Sequence, residues 1–201
     1  MKNSLILFAF VFFIAGCAGT RDISKENHFS SEQKELVMSA DSAAPMRVLS
    51  LFNKKDSLLL RMKSEDVIAD PKDNILQNLI KRMYTTVNDS LTAGVGIAAP
   101  QVGILKNIIW VQRYDKPGNP FEVYLNPKIT KYTKQKLQWV EGCLSVPGMR
   151  DTTRTRSYAI LLEYLRPDNS HNIEMIEGFT AIIFQHEIDH LNGIVYLDRR
   201  K

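Results

Sequence analysis

The stretch Gln185-His186-Glu187-Ile188-Asp189-His190-Leu191-Asn192-Gly193 constrains this chain more than any other. Its two histidines stand four residues apart, and a glutamate directly follows the first. On a helix, positions i and i+4 share one face, so both imidazoles can reach one ion. The glutamate is then close enough to act on a water beside that ion, which is the logic of the HExxH pattern. Phe179, Ile182, Ile183, His186 and His190 recur at helical spacing, and Asn192-Gly193 is a stop signal, so the spacing predicts a helix that ends there. A lone histidine on an apolar face is usually a core residue with one backbone partner. Two histidines and a carboxylate on that face would each need a buried partner, and each one left unpaired costs about 1–3 kcal/mol. One ion satisfies both imidazoles. Two histidines leave such a site one protein ligand short.

The chain of 201 residues suits one domain with extensions, at 44% hydrophobic and 24% charged residues. Its net charge is +4, with lysines and arginines spread along the chain rather than massed in a block. That distribution predicts solvated surface charge and no nucleic-acid partner.

Residues 1–17 read as an export leader. Lys2 precedes an apolar run from Leu5 to Ile14, and Ile14-Ala15-Gly16-Cys17 follows. The run is short for a permanent span. Its end resembles a lipoprotein signal, in which Cys17 becomes a lipid-bearing N-terminus and the protein is anchored rather than spanning. An ordinary signal peptide or an N-terminal anchor is the alternative. Lipidation would prevent Cys17 from pairing with Cys143, the other cysteine. Residues 18–45 are polar and predict a flexible tether, with a short helix around Ser31–Ser39, so the domain is expected to span residues 46–201.

Within that domain, Val48–Leu51 and Leu58–Leu60 are short apolar runs that predict strands or turns. Asp70-Pro71 predicts a helix start, and Ile75, Leu76, Leu79, Ile80, Met83 and Val87 form a core-facing stripe behind it. Gly94-Val95-Gly96-Ile97-Ala98-Ala99-Pro100-Gln101 is a run of small residues that lets backbone approach a ligand. It lacks the spacing of a phosphate loop. Gln101 can offer an amide donor to developing negative charge. Asn107–Arg113 and Phe121–Leu125 predict strands, Ile129–Val140 a half-exposed strand, and Tyr158–Leu165 a further strand. Strands preceding a buried helix give an α+β layout. Between them lies Glu141-Gly142-Cys143-Leu144-Ser145. Cys143 is a candidate for the missing ligand, since a thiolate binds Zn²⁺ or Fe²⁺ well. A small buried apolar residue is the alternative reading.

Three stretches together resemble the peptide deformylase family. Gly94–Gln101 matches its GxGxAAxQ loop, Glu141–Ser145 its EGCLS segment, and Gln185–His190 its QHExDH helix, in the same order. The resemblance implies antiparallel β-sheets packed around a central metal-binding α-helix. It implies one divalent metal held by Cys143, His186 and His190, with water in the fourth position. Fe²⁺ is the family's usual ion, and Zn²⁺ or Ni²⁺ can replace it. Glu187 would move the water's proton to the leaving amine, while the Gln101 amide and the Leu144 backbone N–H donate to the oxyanion. The substrate would be an N-formylated peptide or protein, and the products formate and a free amine. Gly96 would pair with the peptide backbone. Val95, Glu141 and Arg150 would line the pocket for the first side chain, usually methionine, with Phe179 and Ile182 facing it. A monomer is expected. Many relatives continue into a further C-terminal helix that does not follow Asp198 here. The leader predicts a lipid-anchored location in the cell envelope, whereas the family acts in the cytoplasm or organelles. An ordinary HExxH endopeptidase would need a ligand downstream, and no Cys or His follows His190. A non-catalytic binding protein would be expected to have lost Glu187 or Gln101, and both are present.

Overall fold

The computed structural model describes residues 28–89 and 94–200. The leader expected over residues 1–17, with its Cys17, lies outside them. The architecture is α+β. A five-stranded antiparallel sheet has the order β1-β2-β3-β6-β7, built from Gly96–Ala98, Ile108–Gln112, Phe121–Tyr132, Ala159–Leu165 and His171–Glu177. A separate two-stranded ribbon pairs β4 (Lys136–Gly142) with β5 (Arg150–Ser157). The helices are α1 (Ser31–Met38), α2 (Lys54–Leu60), α3 (Asn74–Val87) and α4 (Gly178–Leu191).

Alternation along the strands divides the large sheet into two faces. Ile108 of β2 joins Leu76, Leu79, Met83 and Val87 of α3 in one core. Its neighbours Ile109 and Val111 join Phe184, Ile188 and Leu191 of α4 in the other. Helix α4 leaves β7 at Gly178, whose φ of +62° makes the corner, a conformation that only glycine adopts freely. Every residue from Thr180 to Leu191 is buried. A helix buried on all sides must pair its polar residues internally. Gln185 does so with one backbone unit, accepting from Ser157 N–H at 2.9 Å and donating to Ser157 C=O at 2.9 Å. The helix ends as expected, with Asn192 at its cap and Gly193 at φ +71°.

Several expectations need correction. Helix α3 starts at Asn74, not at Pro71. The Asp73 carboxylate caps it, accepting from the N–H groups of Ile75 and Leu76 at 2.8 and 3.3 Å. Asp70 instead closes a turn onto Lys72 N–H at 2.8 Å. Leu58–Leu60 is helical, because Asn53 caps α2. The stretch Ile129–Val140 is not one strand. It breaks at residues 133–135, where Thr133 N–H bonds Ala159 C=O and Tyr158 N–H bonds Gln135 C=O, so β3 and β4 enter different sheets.

The largest difference lies in residues 29–45, which are packed rather than flexible. Phe29 and Val37 are buried in the first core. The buried Arg82 of α3 donates to the carbonyls of Leu36, Val37 and Ala44 at 3.0, 2.9 and 3.1 Å. Asn78 donates to the carbonyls of Val37 and Ala40 at 2.9 and 3.2 Å. The folded unit therefore starts near Phe29 instead of residue 46, and residues 18–27 of the expected tether lie outside the described residues. Composition hid this, because the bonds go to backbone carbonyls rather than to telling side chains.

Candidate metal centre

Helix α4 presents His186 and His190 on one side, with ring centroids 5.0 Å apart. The loop after β4 brings Cys143 to them, its Sγ 3.2 Å from His190 Nε2. One donor atom from each of Cys143, His186 and His190 lies within 4.8 Å of the others, so the three could hold a single metal ion. Two imidazoles and a thiol form a donor set suited to a divalent transition metal.

The surroundings orient these groups. His186 Nδ1 sits 2.7 Å from Glu141 Oε2, which leaves Nε2 as the lone-pair nitrogen. The Glu141 carboxylate is fixed in turn by Arg156, at 2.8 and 2.9 Å, and by the Thr153 hydroxyl. Arg156 continues to Asp189 of α4 at 2.6 Å, and Asp189 also holds Arg199 at 2.7 Å. The ribbon is thereby locked to the histidine helix through buried charges.

Charge balance follows from this packing. Burial pushes the Cys143 thiol up, yet His190 and His186 beside it hold it well below its ordinary value. Burial works against a positive His186, yet Cys143 and Glu141 hold its pKa well above the usual value. The thiolate calls for a positive partner, which an imidazolium proton or a metal ion supplies. Burial pushes Glu187 up to about 7 against the pull of the two imidazoles. Burial also opposes ionisation of Glu141, but His186 and Arg156 hold it at about 2. Two polar atoms here are buried without a hydrogen-bond partner, Glu187 Oε2 and His190 Nδ1. A carboxylate kept near neutrality with an unpaired oxygen is suited to carry a proton.

Gln101 arrives on the short 3₁₀ turn Ala99–Val102 behind β1. Its Oε1 accepts from Ala98 N–H at 2.9 Å, which turns Nε2 toward Ser145 Oγ (3.2 Å) and Cys143 Sγ (3.5 Å). Gly96 of β1 lies against Glu187, so close that an added Cβ would meet Oε1 at 2.6 Å.

A cavity of about 460 Å³ opens over these groups. Val95, Gly96, Gln101, Glu141, Cys143, Leu144, Arg150, Phe179, Ile182, His186 and Glu187 all border it, while His190 lies behind the wall, 1% exposed. Of the residues expected at the first-side-chain pocket, Glu141 differs most. It borders the cavity, but its carboxylate is committed to His186 and Arg156. Sequence reasoning missed Arg156 and Trp139. Trp139 stacks on Phe179 at 4.8 Å on the cavity wall, and it precedes Glu141 by two strand positions, so alternation could have found it. Arg156, in the polar run Arg150–Ser157, carried no such signal.

Comparison with known proteins agrees with this arrangement. The family model described as polypeptide deformylase matches residues 48–201. The peptide deformylase of Leptospira biflexa is 39% identical over 151 residues, covering 71% of this chain and 83% of that protein. That of Desulforudis audaxviator is 39% identical over 143 residues, covering 70% and 86%. Among solved structures, the class I type b peptide deformylase of Acinetobacter baumannii with Met-Ala-Ser bound superposes with a TM-score of 0.70. It is 34% identical, over 78% of this chain and 99% of that one.

Proposed function

This chain belongs to the polypeptide deformylase family, and on that premise we propose a division of labour for its cavity. The activity is hydrolysis of the N-formyl group from N-terminal formyl-methionine of peptides or proteins, with release of formate. Cys143, His186 and His190 would hold one divalent metal, Fe²⁺ by resemblance, with Zn²⁺ or Ni²⁺ as substitutes. When bound, such an ion supplies a Lewis acid and brings the pKa of water toward neutrality.

The remaining work falls to side chains and backbone. Glu187 takes a proton from the attacking water on its unpaired oxygen and passes it to the leaving amine. Gln101 Nε2 and Leu144 N–H donate to the oxyanion, each worth about 2.7–4 kcal/mol of barrier. Gly96 pairs with the peptide backbone. Val95, Arg150, Phe179 and Ile182 shape the pocket for the first side chain, and Glu141 bounds it while orienting His186. The observation that carries this reading is the meeting of Cys143, His186, Glu187 and Gln101 at one cavity, with His190 directly behind its wall and within ligand reach of Cys143 and His186.

Metal-loaded protein lacking residues 1–17 is expected to release formate from a formyl-Met peptide, and Glu187→Ala to abolish the release. No formate from metal-loaded protein would sink the proposal. An ordinary zinc endopeptidase reading fares worse, since Cys143 stands at the histidines.

The cellular setting rests on the leader. We infer a lipid anchor at Cys17 and a place in the cell envelope, with the cytoplasm as the alternative; among the described residues no helix is long and apolar enough to cross a membrane. The substrates would then be formylated peptides or exported proteins that escaped processing. Membrane fractionation of wild type against Cys17→Ser tests this. The protein is expected to act as a monomer and to bind no nucleic acid.

A further inference from the structure

The β4–β5 ribbon has an outward face that meets the cavity at Val140, Gly142 and Arg150 and otherwise carries no residue assigned to the reaction. Strand partners share a face. Val140 pairs with Thr152 and Gly142 with Arg150, while Glu141 and Thr153 point inward and are buried; Lys136, beyond a register shift, is exposed and its Nζ donates to the buried Ser157 Oγ at 2.8 Å. Arg154 lies on the outward side too, its guanidinium 3.2 Å from Gln138 Oε1. Lys134 stands exposed in the turn that leads into β4. The four cations Lys134, Lys136, Arg150 and Arg154 take part in no ion pair among the described residues. No acidic residue occurs from residue 123 to residue 140. The apolar side chain on this surface, Val140, is 54% exposed, and Met149, in the turn just before β5, is 42% exposed.

We propose that this face docks the domain on an anionic lipid bilayer, with the cavity mouth turned toward the lipid. Unpaired cations flanking exposed aliphatic side chains suit a charged interface, where the cations meet headgroups and the aliphatic groups enter the acyl boundary. Single-stranded nucleic acid would instead call for free aromatic stacking platforms; the outward apolar residues here are aliphatic, and the exposed ring of the ribbon, Trp139, already stacks on Phe179 at the cavity. Val140 and Arg150 also border the cavity, so a docked ribbon brings the mouth to the membrane surface.

Chain length supports this partner. Because residues 29–45 are packed, a membrane-held Cys17 is joined to the domain by residues 18–28 alone. Those span at most about 40 Å, and a domain of this size is roughly 40 Å across. The leash is long enough to present any face and too short to leave the surface. This part of the case rests on the leader; the charge complementarity does not. The substrates reached first would be formylated N-termini lying at the bilayer surface.

The test uses the chain from residue 18 onward, which contains every residue of both cores, co-sedimented with vesicles rich in phosphatidylglycerol or made of phosphatidylcholine alone. Binding is expected only to the anionic vesicles and is expected to fall with salt. Each basic side chain at such a surface is worth about fivefold, so Lys134→Gln with Arg154→Gln should weaken binding about 30-fold. Formate release from a short soluble formyl peptide, measured on the same preparations, should stay unchanged, which separates this proposal from the assignment of the activity. Equal binding to both vesicle types, or a double variant that binds as wild type, overturns the proposal. Salt-sensitive capture of single-stranded DNA without preference for anionic vesicles assigns the face to nucleic acid and overturns it as well.

Discussion

Replacing Gly96 with alanine tests the geometry at its tightest point. Gly96 is absent from the residues with positive φ, so its backbone accepts an alanine without strain. The difficulty is the neighbour. The new Cβ would stand 2.6 Å from Glu187 Oε1, 2.9 Å from Cδ and 3.0 Å from Cγ. To restore ordinary contact at 3.4 Å, the carboxylate must retreat by about 0.8 Å. Glu187 borders the cavity and its Oε2 has no hydrogen-bond partner, so the carboxylate would yield by shifting along the cavity wall, away from the place where it meets the water. A displacement near 1 Å of a group that must meet a proton costs about 10²-fold, and a positioned general base is worth about 10²–10⁴-fold. The expected result for Gly96→Ala is a kcat lower by about 10²-fold, or about 2.7 kcal/mol of barrier. KM should change little, because the Gly96 backbone groups that would pair with the peptide stay in place. Overpacking should cost about 1–3 kcal/mol of stability. Formate-release kinetics, metal content and a thermal melt on one preparation separate these effects. A folded, metal-replete variant with kcat within about threefold of wild type would refute the view that Glu187's position governs the rate.

Other perturbations act at a distance from the reacting atoms. Arg156→Met leaves Glu141 and Asp189 without their shared cation, and breaking such a buried pair costs about 3–5 kcal/mol; urea denaturation should show it, with the remaining Arg199 contact to Asp189 keeping the loss at the low end. Cys143→Ala should purify with far less than stoichiometric metal, by elemental analysis, while its near-ultraviolet circular dichroism stays that of the wild type. Stability should fall in acid through Glu122. Burial pushes this carboxyl up, but hydrogen bonds from Tyr124, Lys116 and Arg166 leave it at about 2, below its ordinary 4.5. A depressed folded pKa means the stabilisation is complete above about pH 4.5 and is lost as pH falls through about 2. Discounted for its partial exposure, the contribution is about 1–2 kcal/mol, and Glu122→Gln should flatten the stability profile over that window.

The sequence made some parts of the molecule plain and hid others for identifiable reasons. The histidine helix was legible because its spacing, apolar face and Asn192-Gly193 stop agree with one another. The stripe of α3 was legible too, but its start was misplaced, because Asp70-Pro71 and Asp73 both look like caps and only the second faces free N–H groups at the head of the stripe. Cys143 was a candidate ligand by residue type, and only family resemblance tied it to the two histidines, since no spacing rule joins it to side chains more than forty residues away. Glu141 was placed at the cavity without its grip on His186, because that grip depends on Arg156, and Arg156 sits in a polar run that reads as solvent-exposed. Strand β5 escaped notice for the same reason. Its buried Thr153 and Arg156 are polar, so hydrophobic alternation does not reveal them.

The clasp on residues 29–45 has a consequence for what each side of it can become. Arg82 and Asn78 hold the carbonyls of Leu36, Val37, Ala40 and Ala44, and Thr85 holds that of Ser42. A carbonyl is the same on every residue. Positions such as Ala40, Ser42 and Ala43 are thus free to change identity without loosening the grip, provided Phe29 and Val37 stay apolar. The helix has no such freedom, since no side chain but arginine fans donors across so many acceptors from position 82. Substitutions could rewrite much of the strap while leaving it in place, and a single change on the helix beneath would release it.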